Sequence, residues 1–189
     1  MVEIKKILHN KIYYYEQLDS TNLKALEIAK QGAAEGTIVI AARQTAGRGR
    51  MRRKWESPEG KGLWFSMILR PTIAAEYCAQ ITLLTAVAAV KALQVLTDKK
   101  FSIKWPNDIM LDGKKVCGIL AEMALTADVS IEYAVVGIGI NINMSSEDFG
   151  AQLEATATSL YLATGSEYEH EQVLKAFLDE FDLLYSHWH

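Results

Sequence analysis

The chain has 189 residues, 50% of them hydrophobic and 23% charged, with a formal net charge of −3 at pH 7. That length supports one domain with a good-sized core, and the slightly acidic balance argues against a general nucleic-acid binder. Cys78 and Cys117 stand in apolar stretches at no metal-ligand spacing, which reads as buried thiols in a reducing compartment.

Residues 1–10 mix lysines with apolar side chains and hold no long apolar core, so no secretory signal is expected there. Residues 11–15, rich in tyrosine, predict a strand. Asp19-Ser20-Thr21-Asn22 is a cluster of helix-capping residues before the pattern Leu23, Leu26, Ile28, Ala29, and so predicts a helix start. Such a start offers free N–H groups and hydroxyls to a ligand, although a plain cap would look the same. Residues 37–42 form an apolar run that predicts a buried strand.

The next stretch, Gln44-Thr45-Ala46-Gly47-Arg48-Gly49-Arg50-Met51-Arg52-Arg53-Lys54-Trp55-Glu56-Ser57-Pro58, concentrates the positive charge. From Arg43 to Lys54 there are six cationic residues and no acidic one. Gly47 and Gly49 allow close backbone approach, and the arginines offer planar forks for carboxylate or phosphate. A charge run is most often a solvated face, and a Gly/Arg tract can bind RNA. Here the segment is short, lies between two strand signals and is closed by Trp55 and a Ser-Pro turn, which favours a small-anion site. These cations also repel one another, so residues 45–54 are expected to be mobile without an anion.

Residues 62–70 predict a mostly apolar strand, with Trp64 and Phe65 in the core, ended by Pro71. Residues 75–96 predict one long helix. Its most apolar part, 81–96, is interrupted by Thr82, Thr85, Lys91 and Gln94, so it reads as a core helix, not a membrane span, and a cytoplasmic location is expected. Residues 101–104 form a short strand running into Trp105-Pro106-Asn107-Asp108, where proline breaks the pairing and exposes Asn107 and Asp108 beside Lys104. Asp112-Gly113 signals a tight hairpin between strands 109–111 and 114–122. Gly137 and Gly139 interrupt an apolar strand at 132–143. With no third glycine and no helix after them they do not make a dinucleotide fingerprint, and they mark a bulge or a close approach. Helices are predicted at 159–164 and 169–185, the second amphipathic. His187 and His189 in the tail lack a third ligand for a metal. The sum is a single α+β domain over residues 1–189, with a mixed, mostly antiparallel sheet and helices on one face.

Taken in order, Ser20-Thr21-Asn22, Gln44-Thr45-Ala46-Gly47-Arg48-Gly49-Arg50, Arg53-Lys54-Trp55-Glu56-Ser57-Pro58, Lys104-Trp105-Pro106-Asn107-Asp108, Lys114-Lys115-Val116-Cys117-Gly118-Ile119-Leu120 and Gly137-Ile138-Gly139-Ile140-Asn141 resemble the biotin protein ligase family over nearly the whole chain. The resemblance implies a fold like the catalytic core of class II aminoacyl-tRNA synthetases and a two-step reaction. Biotin and ATP give biotinyl-5′-AMP and pyrophosphate, and a lysine of a biotin carboxyl carrier domain then attacks the mixed anhydride. It further implies that Ser20, Thr21, Asn22 and Gln44 meet biotin, and that Gly47, Arg48, Gly49 and Arg50 wrap its carboxylate and later the phosphate. Lys115 would stabilise charge in both steps, with Arg48 as its catalytic partner, and Gly118 would let the strand run beside biotin. Arg50, Arg53, Trp55, Lys104, Asn107 and Asn141 would serve ATP, with Trp55 on adenine, and Asp108 would hold Mg2+. Family members often carry an N-terminal DNA-binding domain and a C-terminal small barrel. Neither is seen in this sequence, so no DNA binding is expected, and slow transfer to the carrier is. No membrane partner is implied, and a homodimer is left open. Two rivals stand: a lipoate or octanoate ligase or transferase of the same superfamily, some of which use a cysteine nucleophile, and a non-catalytic RNA-binding module.

Overall fold

Seven β-prone stretches assemble into one sheet, and the computed structural model describes residues 11–188 of the chain. The readings made on residues 1–10 and on His189 lie outside the described residues. The elements are β1 (Lys11–Leu18), α1 (Thr21–Lys30), β2 (Thr37–Gln44), β3 (Gly62–Leu69), α2 (Ala79–Thr97), β4 (Phe101–Lys104), β5 (Asp108–Leu111), β6 (Lys114–Leu125), β7 (Ile131–Asn141), α3 (Ser146–Leu153), α4 (Leu160–Thr164) and α5 (His170–Tyr185). Strand order is β1-β2-β3-β7-β6-β5-β4. Only β1 and β2 pair in parallel, because α1 carries the chain from one to the other; the remaining neighbours are antiparallel.

Alternation along the strands sends two sets of side chains to two different cores. Ile38, Ile40, Phe65, Met67, Val136 and Ile138 pack with α2 and α5. Val39, Ile68 and Val135 point the other way and meet Ala25 and Ala29 of α1. The expectation of helices on a single face is therefore corrected: α1 covers the opposite face from α2 and α5. All eight residues of β3 are buried, so its pattern carries no face signal.

Ala75–Thr97 is long and apolar enough to cross a membrane by composition alone, with a mean hydropathy of 1.6. In this fold it breaks into a 3-10 turn at Ala75–Tyr77 followed by α2. Ile81, Ala86, Ala89 and Leu93 are fully buried against the sheet and α5. On α5, Phe177, Phe181 and Tyr185 form a ladder that starts from Phe65 of β3, with ring centroids 5.3, 5.8 and 5.4 Å apart. Burying side chains of this size stabilises the fold by about 1.5–3 kcal/mol each. The β5–β6 turn places Asp112 at φ 49° and Gly113 at φ 77°, the left-handed pair that a two-residue hairpin demands. Helix α3 was not anticipated. Its start carries a capping box from Ser145 to Asp148, a signal readable in the sequence.

Candidate active site

The strands β6 and β7 run side by side with Gly118 opposite Gly139 and Leu120 opposite Gly137. The missing side chains make a floor on the α1 face of the sheet, just beyond the part that α1 covers. A Cβ on Gly137 would lie 1.9 Å from Asn22 Oδ1, and one on Gly139 would lie 2.5 Å from Trp55 Nε1. On Gly118 it would lie 2.8 Å from the Trp55 ring and 3.0 Å from Lys115 Cε. The strand glycines thus mark a close approach, not a bulge.

At one end of this floor the start of α1 is held in a polar network. Ser20 stands at the N-cap position, but its hydroxyl makes no capping bond. Gln44 fills that role from β2, its Oε1 accepting the Thr21 N–H at 2.8 Å, while its Nε2 donates to Ser57 Oγ at 2.8 Å. Ser66, fully buried on β3, has its Oγ 2.8 Å from Thr21 Oγ1 and 2.6 Å from Asn22 Oδ1. A carbonyl can only accept, so the Ser66 proton goes to Asn22, and the one Thr21 hydroxyl proton is shared between Ser66 Oγ and Gln44 Oε1, the latter 3.2 Å away. The Asn22 amide in turn donates to Leu120 O at 3.2 Å and Glu122 Oε2 at 2.9 Å.

The rest of the pocket is cationic. Arg48 Nη2 donates to Glu122 Oε1 at 2.9 Å, and Arg50 Nη1 donates to Asn107 Oδ1 at 3.0 Å. Lys115 projects beside Gly118, its Nζ 2.6 Å from Asp108 Oδ1 and 5.0 Å from the Trp55 ring centroid. Its neighbour Lys114 points away to the Glu154 carbonyl. The loop apex is costly: Met51 and Arg52 both lie in the left-handed region, at φ 56° and 60°. Non-glycine residues there carry about 1–3 kcal/mol of strain each.

Of the residues singled out from sequence, the fold brings Ser20, Thr21, Asn22, Gln44, Arg48, Gly49, Arg50, Trp55, Asn107, Lys115 and Gly118 around one small pocket of about 40 Å³. Gly47 and Arg53 line an adjoining open groove of about 1090 Å³, which Arg48 and Arg50 also border. Lys104 and Asn141 line neither. Lys104 is exposed on edge strand β4, and the buried Asn141 amide is bound to the Thr158 carbonyl at 3.0 Å. Trp55 lies inside the pocket on the glycine floor, edge-on to Trp64 at 6.3 Å, and does not line the groove. Ser66, Glu122, Gly137 and Gly139 are site residues that sequence reasoning did not assign; only the two glycines gave a signal.

Asp108 is tied to the Lys115 ammonium, and no group of three or more His, Cys, Asp or Glu that could hold a metal is found among the described residues. In the free chain Asp108 is the partner of Lys115, and a Mg2+ held there directly or through water would share it with the phosphates of the nucleotide.

This geometry has counterparts. Residues 14–141 match the Biotin/lipoate A/B protein ligase family. The chain belongs to that family. Over 180 residues, 95% of its length, it is 43% identical to the bifunctional ligase/repressor BirA of Bacillus spizizenii and covers 55% of that protein. It is 36% identical over 172 residues to the biotin--[acetyl-CoA-carboxylase] ligase of Paracoccus denitrificans, covering 90% of this chain and 69% of that one. The structure of the biotin protein ligase from Aquifex aeolicus in complex with biotin and ATP superposes with a TM-score of 0.80 at 34% identity, over 93% of this chain and 70% of that one. The chain thus spans little more than half the length of its Bacillus relative.

Within the biotin/lipoate ligase family, a cysteine nucleophile would separate one branch. Cys117 alternates with the floor glycines, so it faces the α2–α5 core and is fully buried. Burial pushes its thiol up to about 12, which keeps it protonated and unreactive. Cys117 lines neither the pocket nor the groove.

Proposed function

We propose that the chain carries the catalytic part of a biotin–protein ligase, which joins biotin to ATP as biotinyl-5′-AMP and then passes biotin to a lysine of a carboxyl carrier domain. One observation carries this reading. A polar recess formed by Thr21, Asn22 and Gln44, beside Gly137, and the Lys115 ammonium, beside Gly118, stand at two ends of an apolar, glycine-lined floor, with Arg48 and Arg50 lining the same pocket. A ligand with a hydrogen-bonding ring at one end and a carboxylate at the other matches both ends. The relatives' chemistry supports the same assignment.

In this reading the ring's N–H and C=O groups meet Ser20, Thr21 and Gln44, and the acyl chain crosses the glycines. Its carboxylate arrives among Arg48, Arg50 and Lys115. Attack of that carboxylate on the α-phosphate places negative charge on the phosphate oxygens, and fixed cations stabilise such charge most where water is excluded. Asp108 holds the Lys115 ammonium beside the pocket, and Asn107 does the same for Arg50. The triphosphate of MgATP extends into the groove past Arg53, with Mg2+ entering as part of that substrate. A pocket of 40 Å³ is far below the few hundred Å³ that a small-molecule site needs, so Trp55 must lift from Gly118 and Gly139 as biotin enters.

Thermal unfolding tests the assignment. Biotin with MgATP is expected to raise the Tm more than either alone, because the adenylate joins two half-sites and binds only folded protein. Lipoate is expected to do little. A shift with lipoate equal to or larger than that with biotin would overturn the reading in favour of a lipoate ligase. Binding of RNA that weakens steeply with salt, with no response to biotin, would favour the RNA-binding alternative.

A further inference from the structure

Glu122 stands outside the roles assigned so far, yet it ties the arginine loop to the Asn22 side of the pocket. It lies on β6, four residues past the floor glycine Gly118 and on the same face. One carboxylate oxygen, Oε2, accepts from Asn22 Nδ2, and the other, Oε1, accepts from Arg48 Nη2, both at 2.9 Å. The side chains of Arg48 and Glu122 are 40% and 25% exposed, so the pair is partly withdrawn from water. Asn22 has little freedom of its own, being bonded to Ser66 and Leu120 and pressed against Gly137. The arginine loop, by contrast, carries two strained residues at its apex and six like charges in its sequence. Left to itself, such a loop would open.

We propose that Glu122 is a positioning residue, a latch that transmits the state of the Asn22 end of the pocket to Arg48 and so holds the arginine loop over the bound substrate. Its carboxylate offers the loop a fixed anion on a rigid strand. Because the same group also grips Asn22, a ligand that seats Asn22 correctly firms the anchor on which Arg48 closes. The inference rests on the biotin-ligase reading for the identity of that ligand, but the latch itself is a property of the chain alone.

Two variants separate the two bonds. Glu122→Gln keeps an acceptor for Asn22 but loses the charge that binds Arg48, and Glu122→Ala loses both. Backbone hydrogen exchange across residues 45–57, read by mass spectrometry without ligand, is expected to speed up roughly tenfold in both variants, the effect of one charge-assisted contact. Exchange in β3 and β7 should stay as in the wild type. Glu56→Ala removes the Lys54–Glu56 pair of the same loop and the same charge, and should leave exchange at the flanks near wild type. In adenylate formation Glu122→Ala should raise the KM for biotin about tenfold with a smaller change in kcat, and Glu122→Gln should recover part of that KM. Unchanged loop exchange in both variants would overturn the latch whatever the ligand is. Loosened loop exchange with no response of even the wild type to biotin would uphold the latch and contradict the ligand assignment. If Glu122→Ala does not fold, the isosteric Glu122→Gln decides the question by its loop exchange alone.

Discussion

Lys115 and Lys114 are adjacent and chemically identical, but the hairpin turn sends one to the pocket and the other to the surface carbonyl of Glu154. If Lys115 stabilises phosphate charge in the transition state, Lys115→Ala lowers kcat by roughly 10²–10³ and moves the biotin KM little. Lys114→Ala, measured in parallel, should turn over like the wild type. Equal rates for Lys115→Ala and wild type would reduce Lys115 to a hairpin surface residue. Gly137 allows a second test. An alanine there would put its Cβ 1.9 Å from the Asn22 carbonyl oxygen, an atom held by Ser66 and unable to swing aside cheaply. Displacing Asn22 breaks contacts worth about 0.5–1.5 kcal/mol each, so Gly137→Ala should weaken biotin binding by roughly tenfold or more in calorimetry. Wild-type affinity would mean that the Asn22 network is not part of the biotin site. The polar residues of this site were legible because capping residues and clustered arginines are conspicuous. Ser66 and Glu122 were not, since a serine in an apolar strand and a glutamate near a strand end are ordinary until the fold brings their partners to them.

The arginine loop behaves as an element in its own right. Its backbone closes through Gly49 N–H to Arg53 O at 2.8 Å and Trp55 N–H to Gly47 O at 2.9 Å. Its side chains are anchored at Glu122 and Asn107. These contacts are few and partly exposed, so local opening costs far less than global unfolding. Trypsin should therefore cut at Arg48–Lys54 quickly without ligand, and saturating biotin with MgATP should slow that cutting as charge-assisted bonds pin the cations. Fast cutting that ligand leaves unaffected would contradict a loop that closes on the anion. The β5–β6 hairpin was legible because one turn pair, Asp112-Gly113, decides its geometry. Helix α3 was not, because Gly150, at φ 64°, breaks a short helix and masks its periodicity. The 75–96 helix was anticipated as one piece, and the break before Ala79 left no apolar gap in the sequence.

The whole molecule divides its sheet by face and by position. One face is sealed by α2 and α5; on the other, α1 seals Val39, Ile68 and Val135 and stops where the glycines begin. The candidate floor thus lies at the edge of what α1 covers, and the start of α1 stands at its border with Thr21 and Asn22. The mixed sheet was legible from the order of strands and helices. The side taken by α1 was not, because β2 and β3 are buried on both faces and show no alternation to read. The opposite face also carries the alkaline limit of stability. Desolvation raises the Cys117 thiol to about 12 and raises the Tyr185 hydroxyl as well, helped by its bond to Glu35. Both groups fold neutral, so the stability they contribute is complete below their ordinary values and is lost as pH climbs towards the raised ones. The Tm should hold to about pH 8–9 and fall above it; a Tm that rises from pH 9 to pH 11 would contradict this burial.

The central claim is that the two ends of the pocket bring a carboxylate of biotin to the α-phosphate of ATP. Isotope exchange between pyrophosphate and ATP measures that step without a carrier domain. Labelled pyrophosphate should enter ATP only when biotin is present, and lipoate or octanoate should not replace it. Exchange that proceeds as well with lipoate, or none with biotin at saturating MgATP in folded protein, would contradict the account.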